Sequence, residues 1–410
     1  MLVHWIWLAS RPGLHERDQK RIMEAFSDAE DVYFADKDRL EQALDLAPSQ
    51  LESLMDKDLL EAQSILRKCV DKGISLCTYG DEEYPFRLRH IADPPMVLYY
   101  KGTLPDTARV AVVAEVGTRK ASLYGLQVAR RMGYQIGACG GVLVSGMAKG
   151  IDAMAIQGAL LSGSPVIGVL GCGADVVYPA VNRSLFADVE RCGCLISEFP
   201  PETPPYRWNF PRRNRIMSGM SNATLVVEAP VGSGSLITAR DALEQGRDIY
   251  AVPGNVDTPG FVGSNELLRE GAMVATNGWD IMGDYAHLYP ETVHPMNEQD
   301  CIHGKELEME TASVVAQTTQ TPRVKKKTDK KYEKKPIDKQ KNSPYDDLKG
   351  ILPTLPDAQR QILELLTRER LVDEIIEETG MGASKVSATL TVLEIKGMIQ
   401  RLPGKRVALK

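Results

Sequence analysis

Four arginines fall within nine residues in the stretch "RWNFPRRNRI" (207–216): Arg207, Arg212, Arg213 and Arg215. Guanidinium groups make charge-assisted, often bidentate bonds to phosphates and carboxylates. Trp208 and Phe210 stand among them, and an unpaired nucleobase stacked on such a ring gains about 1–3 kcal/mol. The chemistry on offer is therefore capture of an anion, either a small nucleotide or a polymer. The whole chain is acidic, with a formal net charge of -6 over 410 residues, so binding to nucleic acid needs a local patch rather than the overall field. The same residues also have a structural use, with rings in the core and arginines paired to Glu198, Glu202 or Glu228.

A second set of anion-binding candidates lies in short loops rich in small residues. These are "GTRKASLYG" (117–125), "SGMAKGID" (145–152), "GCGADVVYP" (171–179) and "APVGSGSLITA" (229–239). Small residues let backbone N–H groups approach a ligand, and helix N-termini favour negative charge. Arg119 follows Gly117-Thr118 directly, where its guanidinium can fork onto a phosphate. The standard nucleotide motifs fail. The third glycine of G-x-G-x-x-G is Val176 in "GCGADV" and Ile237 in "GSGSLI", and there is no G-x-x-x-x-G-K-[ST]. The loops predict a phosphate-binding rim without a mononucleotide fingerprint.

The elements that position these loops follow from apolar patterning. "RVAVVAEV", "GVLVSG", "PVIGVLG", "CLIS", "ATLVVEA", "DIYAVPG" and "AMVAT" are short apolar runs. They alternate with helical stretches at 122–138, 150–161, 182–191, 235–245 and 264–270. Strands buried on both faces with helices between them signal a doubly wound parallel sheet. Ligands bind at the carboxyl ends of such strands, where the four loops fall. Residues 1–80 read as short helices, including "GLHERDQKRIMEAF", "KDRLEQALDL" and a pattern ending on a C-cap at Gly73. Residues 286–345 read as a disordered lysine-rich linker. Arg323–Lys341 alone carries a net +7, which leaves -13 for the rest. In 346–410, three helical segments precede a hairpin with Pro403-Gly404 at its turn, the pattern of a winged helix with zero net charge.

No apolar run reaches the roughly 18–20 residues of a membrane span, and the N-terminus lacks the basic region and cleavage site of an export signal. The seven cysteines show no metal-ligand spacing, which predicts free thiols in a cytoplasmic protein, without a metal.

The chain resembles the bacterial DNA-processing protein A family (DprA, also called Smf). The blocks that carry the resemblance span about 70–285, and include "YPFRLRHIADPPMVLYYKG", "GTRKAS", "SGMAKGIDAMA", "LISEFPP", "FPRRNRIMSGMS", "SGSLITARDALEQGR" and "GSNELLREGA". The resemblance implies an extended Rossmann-like domain at 81–285, flanked by a helical domain of the SAM or helix-hairpin-helix kind (1–80) and a winged helix (346–410). It implies sequence-independent binding of single-stranded DNA, protection of incoming strands, and loading of the RecA recombinase on them in natural transformation. It also implies a homodimer through the Rossmann-like domain, no cofactor and no catalysis. Carried over by position, phosphate would meet Gly117, Thr118, Arg119, Ser145, Gly146, Lys149, Gly150, Gly232, Ser233, Gly234 and Ser235. Arg207 and Phe210 would contact backbone and base, with Arg212, Arg213, Asn214 and Arg215 beside them. The chain departs from the family pattern in two extra residues around Ala114-Glu115, in Lys149 where arginine is common, and in Ile156 where histidine is common.

Two other functions compete with this one. Relatives of this sheet type cleave N-glycosidic bonds with a PGGxGTxxE loop, but "PVGSGSLIT" places Thr238 at the glutamate position, so the acid/base group is missing. A duplex-binding regulator would use the winged helix, whose third helical segment "SKVSATLTVLEIKG" carries few basic residues.

Overall fold

All seven apolar runs form strands. With two further strands they make one nine-stranded sheet: β1 (Ser75–Thr78), β2 (Val97–Gly102), β3 (Val112–Val116), β4 (Val142–Ser145), β5 (Val166–Val169), β6 (Cys194–Ser197), β7 (Ala223–Val226), β8 (Asp248–Ala251) and β9 (Met273–Val274). The computed structural model describes residues 2–297, 300, 356–366, 369–395, 398–402 and 406–409. The strand order is β1-β2-β6-β5-β4-β3-β7-β8-β9. Pairing is parallel from β6 through β9, whereas β1 and β2 are antiparallel additions at one edge.

Alternation along the strands feeds two cores. On one face Val113, Leu143, Leu195 and Leu225 pack beneath α8 (Leu123–Ala138), α9 (Ile151–Leu161) and α10 (Arg183–Cys192). On the other, Val112, Val144, Ile167 and Val226 pack beneath α11 (Asn209–Met220) and α12 (Gly234–Glu244). Strand β3 pairs in unbroken register with β4 as far as Ala114, and with β7 through Ala114 and Glu115. The residues flagged as extra therefore form no bulge, and the loop bearing Arg119 starts straight from the strand. Ile156, at the position where the family often has histidine, is fully buried in the first core.

The N-terminal region has helices α1 (Leu2–Ala9), α2 (Glu16–Ala25), α3 (Ala29–Phe34), α4 (Lys37–Ala43), α5 (Pro48–Met55) and α6 (Leu60–Asp71). Helix α6 ends as its sequence predicts. Gly73 takes φ +62, and the N–H groups of Gly73 and Ile74 reach the carbonyls of Val70 and Cys69, closing a Schellman turn. The helices share a core with β2: Trp5, Trp7, Leu40 and Leu54 pack in one cluster with Val97 and Tyr99. Ion pairs add to the contact, with Lys68 2.7 Å from Glu202 and Lys72 2.5 Å from Asp175.

The sheet domain extends past 285, where the sequence reading ended it. Tyr289 and Val293, four residues apart, are buried in the same core as Tyr250 and Met282. The His294 N–H donates to the Cys139 carbonyl at 3.2 Å, and the Tyr134 hydroxyl to Asp300 at 3.1 Å. The rest of the predicted linker, 301–345, lies outside the described residues.

Contacts divide the chain into two units, Met1–Pro322 and Arg323–Lys410. The second holds α15 (Asp357–Leu365), α16 (Val372–Thr379) and α17 (Ala383–Ile395) against a three-stranded sheet. Its strands are β10 (Arg370–Leu371), β11 (Ile399–Leu402) and β12 (Arg406–Leu409), in the order β10-β12-β11. Ile362, Leu363, Leu390 and Val407 form its core. This is the expected winged helix with one more short strand; the turn at Pro403-Gly404 lies outside the described residues.

Candidate nucleic-acid interface

The chain leaves β3 toward β4, β5 and β6 on one side, and returns through β7, β8 and β9 on the other. This reversal opens a crevice between the loops after β3 and β7. A cleft of about 460 Å³ lies there, lined by Gly117, Thr118, Arg119, Phe210, Arg213, Asn214 and the segment Pro230–Ser235. Of the helix N-termini at its edge, two are unlike each other. The start of α8 is already occupied from within: the Glu228 carboxylate accepts from the Ser122 N–H at 3.0 and 3.1 Å and from the Ser122 hydroxyl at 2.7 Å. The start of α12 faces open space. Ser233 caps it, and neither Gly232 (φ +74) nor Gly234 has a neighbour within 4 Å of where a Cβ would sit. With the Ser235 and Leu236 N–H groups turned back onto Ser233, the Gly234 N–H is the donor available to an outside anion.

The stretch "RWNFPRRNRI" leads into helix α11, with Trp208 as its N-cap and 209–216 as its first eight residues. Pro211 is tolerated because it falls in the first turn. Helical periodicity then sends the four arginines in different directions. Arg207 precedes the helix and is exposed. Arg212 and Arg215, three residues apart, turn toward the N-terminal helices. Arg212 pairs with Glu16. Arg215 is buried, 2.5 Å from Glu198 and 3.4 Å from Asp93. Arg213 turns toward the sheet and donates to the Val169 carbonyl at the end of β5. It is 3% exposed, and burial pushes its guanidinium down to about 10 although Asp152 pulls it back up. Asn214 donates to the Gly234 carbonyl at 3.3 Å, tying α11 to the open start of α12.

Two aromatic groups flank the cleft. Phe210 is half-buried and lies on Gly171, where a Cβ would meet its ring at 2.9 Å. The Arg119 guanidinium stands 5.2 Å over the same ring, and Tyr178 packs beside it at 5.6 Å. Trp208 is 66% exposed and stacks on Tyr206, so the reading that buries it in the core fails. Arg119, Lys120, Lys149 and Arg207 are exposed and make no ion pair among the described residues.

The floor holds acidic groups. Asp152 lines the cleft and accepts from the Ala148 N–H at 3.4 Å. Burial raises its carboxyl above the usual range, and Arg213 opposes that shift. Deeper, Glu115 is fully buried with neither carboxylate oxygen hydrogen-bonded. Burial, with Asp152 adding to it, pushes Glu115 well above the usual range, which favours its neutral form. Thr238, at the glutamate position of the glycosidase pattern, is buried with no partner on its hydroxyl.

Of the residues expected from sequence, Gly117, Thr118, Arg119, Phe210, Arg213, Asn214, Gly232, Ser233, Gly234 and Ser235 are brought together here. Others are not. Ser145 is fully buried, its hydroxyl spent on the Glu115 carbonyl at 2.7 Å. Gly146 lies under Arg213, whose guanidinium would be 2.4 Å from an added Cβ. Gly150 (φ +81) backs the loop of Arg119, with the Thr118 carbonyl 2.4 Å from an added Cβ. Arg212 and Arg215 are taken by acids, Arg215 away from the cleft. Lys149 and Arg207 lie outside the cleft lining and are exposed. Sequence reasoning missed Lys120, Asp152, Tyr178, Tyr206 and the capping role of Glu228. Asp152 and Tyr178 sit inside quoted loops, at the start of α9 and beside the cis bond to Pro179.

Comparison with known proteins follows this geometry. Residues 75–286 match the family described as DNA recombination-mediator protein A, and residues 349–405 match the DprA winged helix domain. The DNA processing protein DprA of Bacillus subtilis is 40% identical over 211 residues, covering 52% of this chain and 71% of that protein. The protein Smf of Synechocystis is 31% identical over 408 residues, covering 98% of this chain and 97% of that one. The X-ray structure of DNA processing protein A from Streptococcus pneumoniae superposes with a TM-score of 0.60 at 31% identity, over 69% of this chain and 98% of that chain.

Proposed function

The chain belongs to the DNA recombination-mediator protein A family, DprA/Smf, and from that premise we propose that its cleft binds single-stranded DNA without sequence preference. The observation that carries this reading is the mouth of the cleft. An unpaired Arg119 stands over the half-buried ring of Phe210, opposite the open N-terminus of α12. Phosphate meets Arg119, the Gly234 N–H, and the exposed Lys120, Lys149 and Arg207. A base stacks on Phe210. Arg213 and Asn214 act one step back, holding α11 against β5 and α12.

On this reading the protein shields incoming strands and loads RecA on them during natural transformation. It works as a cytoplasmic homodimer paired through the Rossmann-like domain, and does not act as an enzyme. Among the described residues the only carboxyl on the cleft wall is Asp152, which is committed to the Ala148 N–H and to the charge of Arg213. The winged helix, with no net charge, serves as a protein-contact module more readily than as a duplex reader.

The test is competition among a dT oligomer series, a duplex of the same length and dTMP, at two salt concentrations. Affinity should rise with oligomer length, exceed that for duplex and fall steeply with salt. Equal affinity for dTMP and for long oligomers would show a mononucleotide site and sink the polymer reading.

A further inference from the structure

Three of the four tryptophans are at least partly buried: Trp5 and Trp7 in the N-terminal core, and Trp279 against the sheet core. Trp208 is the exception at 66% exposed. Its indole lies flat on Tyr206, itself 44% exposed, with ring centroids 4.7 Å apart and planes 9° from parallel. One face of the indole is therefore covered and the other faces solvent. An exposed aromatic face of this size marks a contact surface.

The pair is held rigidly. The Tyr206 N–H donates to the Pro204 carbonyl at 2.8 Å and the Asn209 N–H to the Tyr206 carbonyl at 3.1 Å. The buried Asn209 side chain donates to the Gly171 carbonyl at 3.0 Å. Gly171 is also the residue on which Phe210 rests, so one anchor fixes both aromatic groups. Trp208 and Phe210 are two residues apart, which limits their Cα separation to about 7 Å. Arg207, next to Trp208 in sequence, is exposed and without an ion pair among the described residues.

We propose that the Tyr206–Trp208 pair is a second stacking platform, which takes an unpaired nucleobase of a strand leaving the cleft past Phe210. The inference rests on the single-strand reading of the cleft and extends its path. A flat ring beside an unpaired cation, continuous with a phosphate-binding cleft, suits a base on a polyanionic backbone. Because the rings are already stacked and anchored, binding orders little.

The experiment uses the full chain with Trp208→Ala and Trp208→Phe. Each variant is checked for an unchanged melting temperature, as expected for an exposed side chain. Affinities are measured for a dT series and for a long dT oligomer with one abasic residue walked along it. Trp208→Ala should weaken long oligomers by about five-fold to about 140-fold, the span of one stacked base. It should leave the shortest oligomers and the salt slope unchanged, since no cation is lost. Trp208→Phe should retain most of the affinity. The wild-type abasic scan should show two sensitive positions, one of which disappears in Trp208→Ala. An abasic scan identical in wild type and Trp208→Ala, or undiminished binding of long oligomers by Trp208→Ala, would overturn the platform and leave the exposed rings to a protein partner. Loss of all oligomer binding by the wild type would instead remove the cleft reading itself, a result the variant data cannot imitate.

Discussion

Exchanging Arg119 and Arg215 for alanine, one at a time, separates an arginine that meets the strand from one that holds the fold. Arg119 is exposed, unpaired among the described residues and 5.2 Å from the Phe210 ring. Each phosphate neutralised on a single strand contributes about 0.7 to the slope of log affinity against log salt. Contacts from Arg119, Lys120, Lys149 and Arg207 then give a slope near 2.8, or about a fifty-fold loss between 50 and 200 mM salt. Arg119→Ala should lower the slope to about 2.1 and the loss to about twenty-fold. Arg215 differs in kind. Its guanidinium is 8% exposed and lies 2.5 Å from Glu198, which is 5% exposed. One Glu198 oxygen already has no partner, so Arg215→Ala leaves this buried carboxylate only Arg212, 3.8 Å away, at a cost approaching the roughly 3–5 kcal/mol of a broken buried pair. The salt slope should not move. Anisotropy titrations of a labelled dT oligomer across a salt series read the slopes, and urea unfolding reads the stabilities. The reasoning is refuted if Arg215→Ala flattens the slope as Arg119→Ala does, or if Arg119→Ala leaves it unchanged.

Other positions give independent checks. Glu228→Ala removes the acceptor for the Ser122 N–H and hydroxyl; it should cost about 1.5–3 kcal/mol in urea unfolding and weaken oligomer binding through the loosened 117–122 loop, with the salt slope kept. Gly171→Ala places a methyl 2.9 Å from the Phe210 ring, so oligomer affinity should drop several-fold, by part of the roughly 1–3 kcal/mol that one stacked base contributes, again with an unchanged slope. Glu115→Gln tests the buried acid. Its folded-state pKa lies well above the ordinary 4.5, so as pH rises past that value the unfolded chain releases a proton that the folded chain keeps, and stability falls with a limiting slope of about 1.4 kcal/mol per pH unit. The variant should lose that slope, and its advantage over wild type should grow between pH 5.5 and pH 7.5 in urea unfolding; a constant difference would show that Glu115 is ionised in the fold.

What could be read from sequence and what could not have one physical cause. Strands β3 to β7 are legible because burial on both faces demands apolar runs, and the loops after them are legible because glycine and serine mark where the backbone must turn. Arg119 follows from that logic alone, being the first charged side chain after β3. Helix α11 escapes it. Its buried positions include Asn209, Arg213, Asn214 and Arg215 beside Ile216, Met217 and Met220, so the apolar stripe that announces a helix is broken over its first two turns. Those polar residues are buried because partners distant in sequence meet them: Val169 for Arg213, Gly234 for Asn214, Glu198 and Asp93 for Arg215. No local spacing records such partners. Ser145 fails for the converse reason, since a serine ending a strand looks like a rim donor until the neighbouring strand offers it the Glu115 carbonyl. A stretch with four arginines in an acidic chain thus signals a site correctly, yet the fold keeps two of them for acids and one for a carbonyl. Local patterning breaks where polar groups are buried to hold a binding surface rigid, and the residues left over, Arg207, Trp208 and Phe210, are the ones free to meet a ligand.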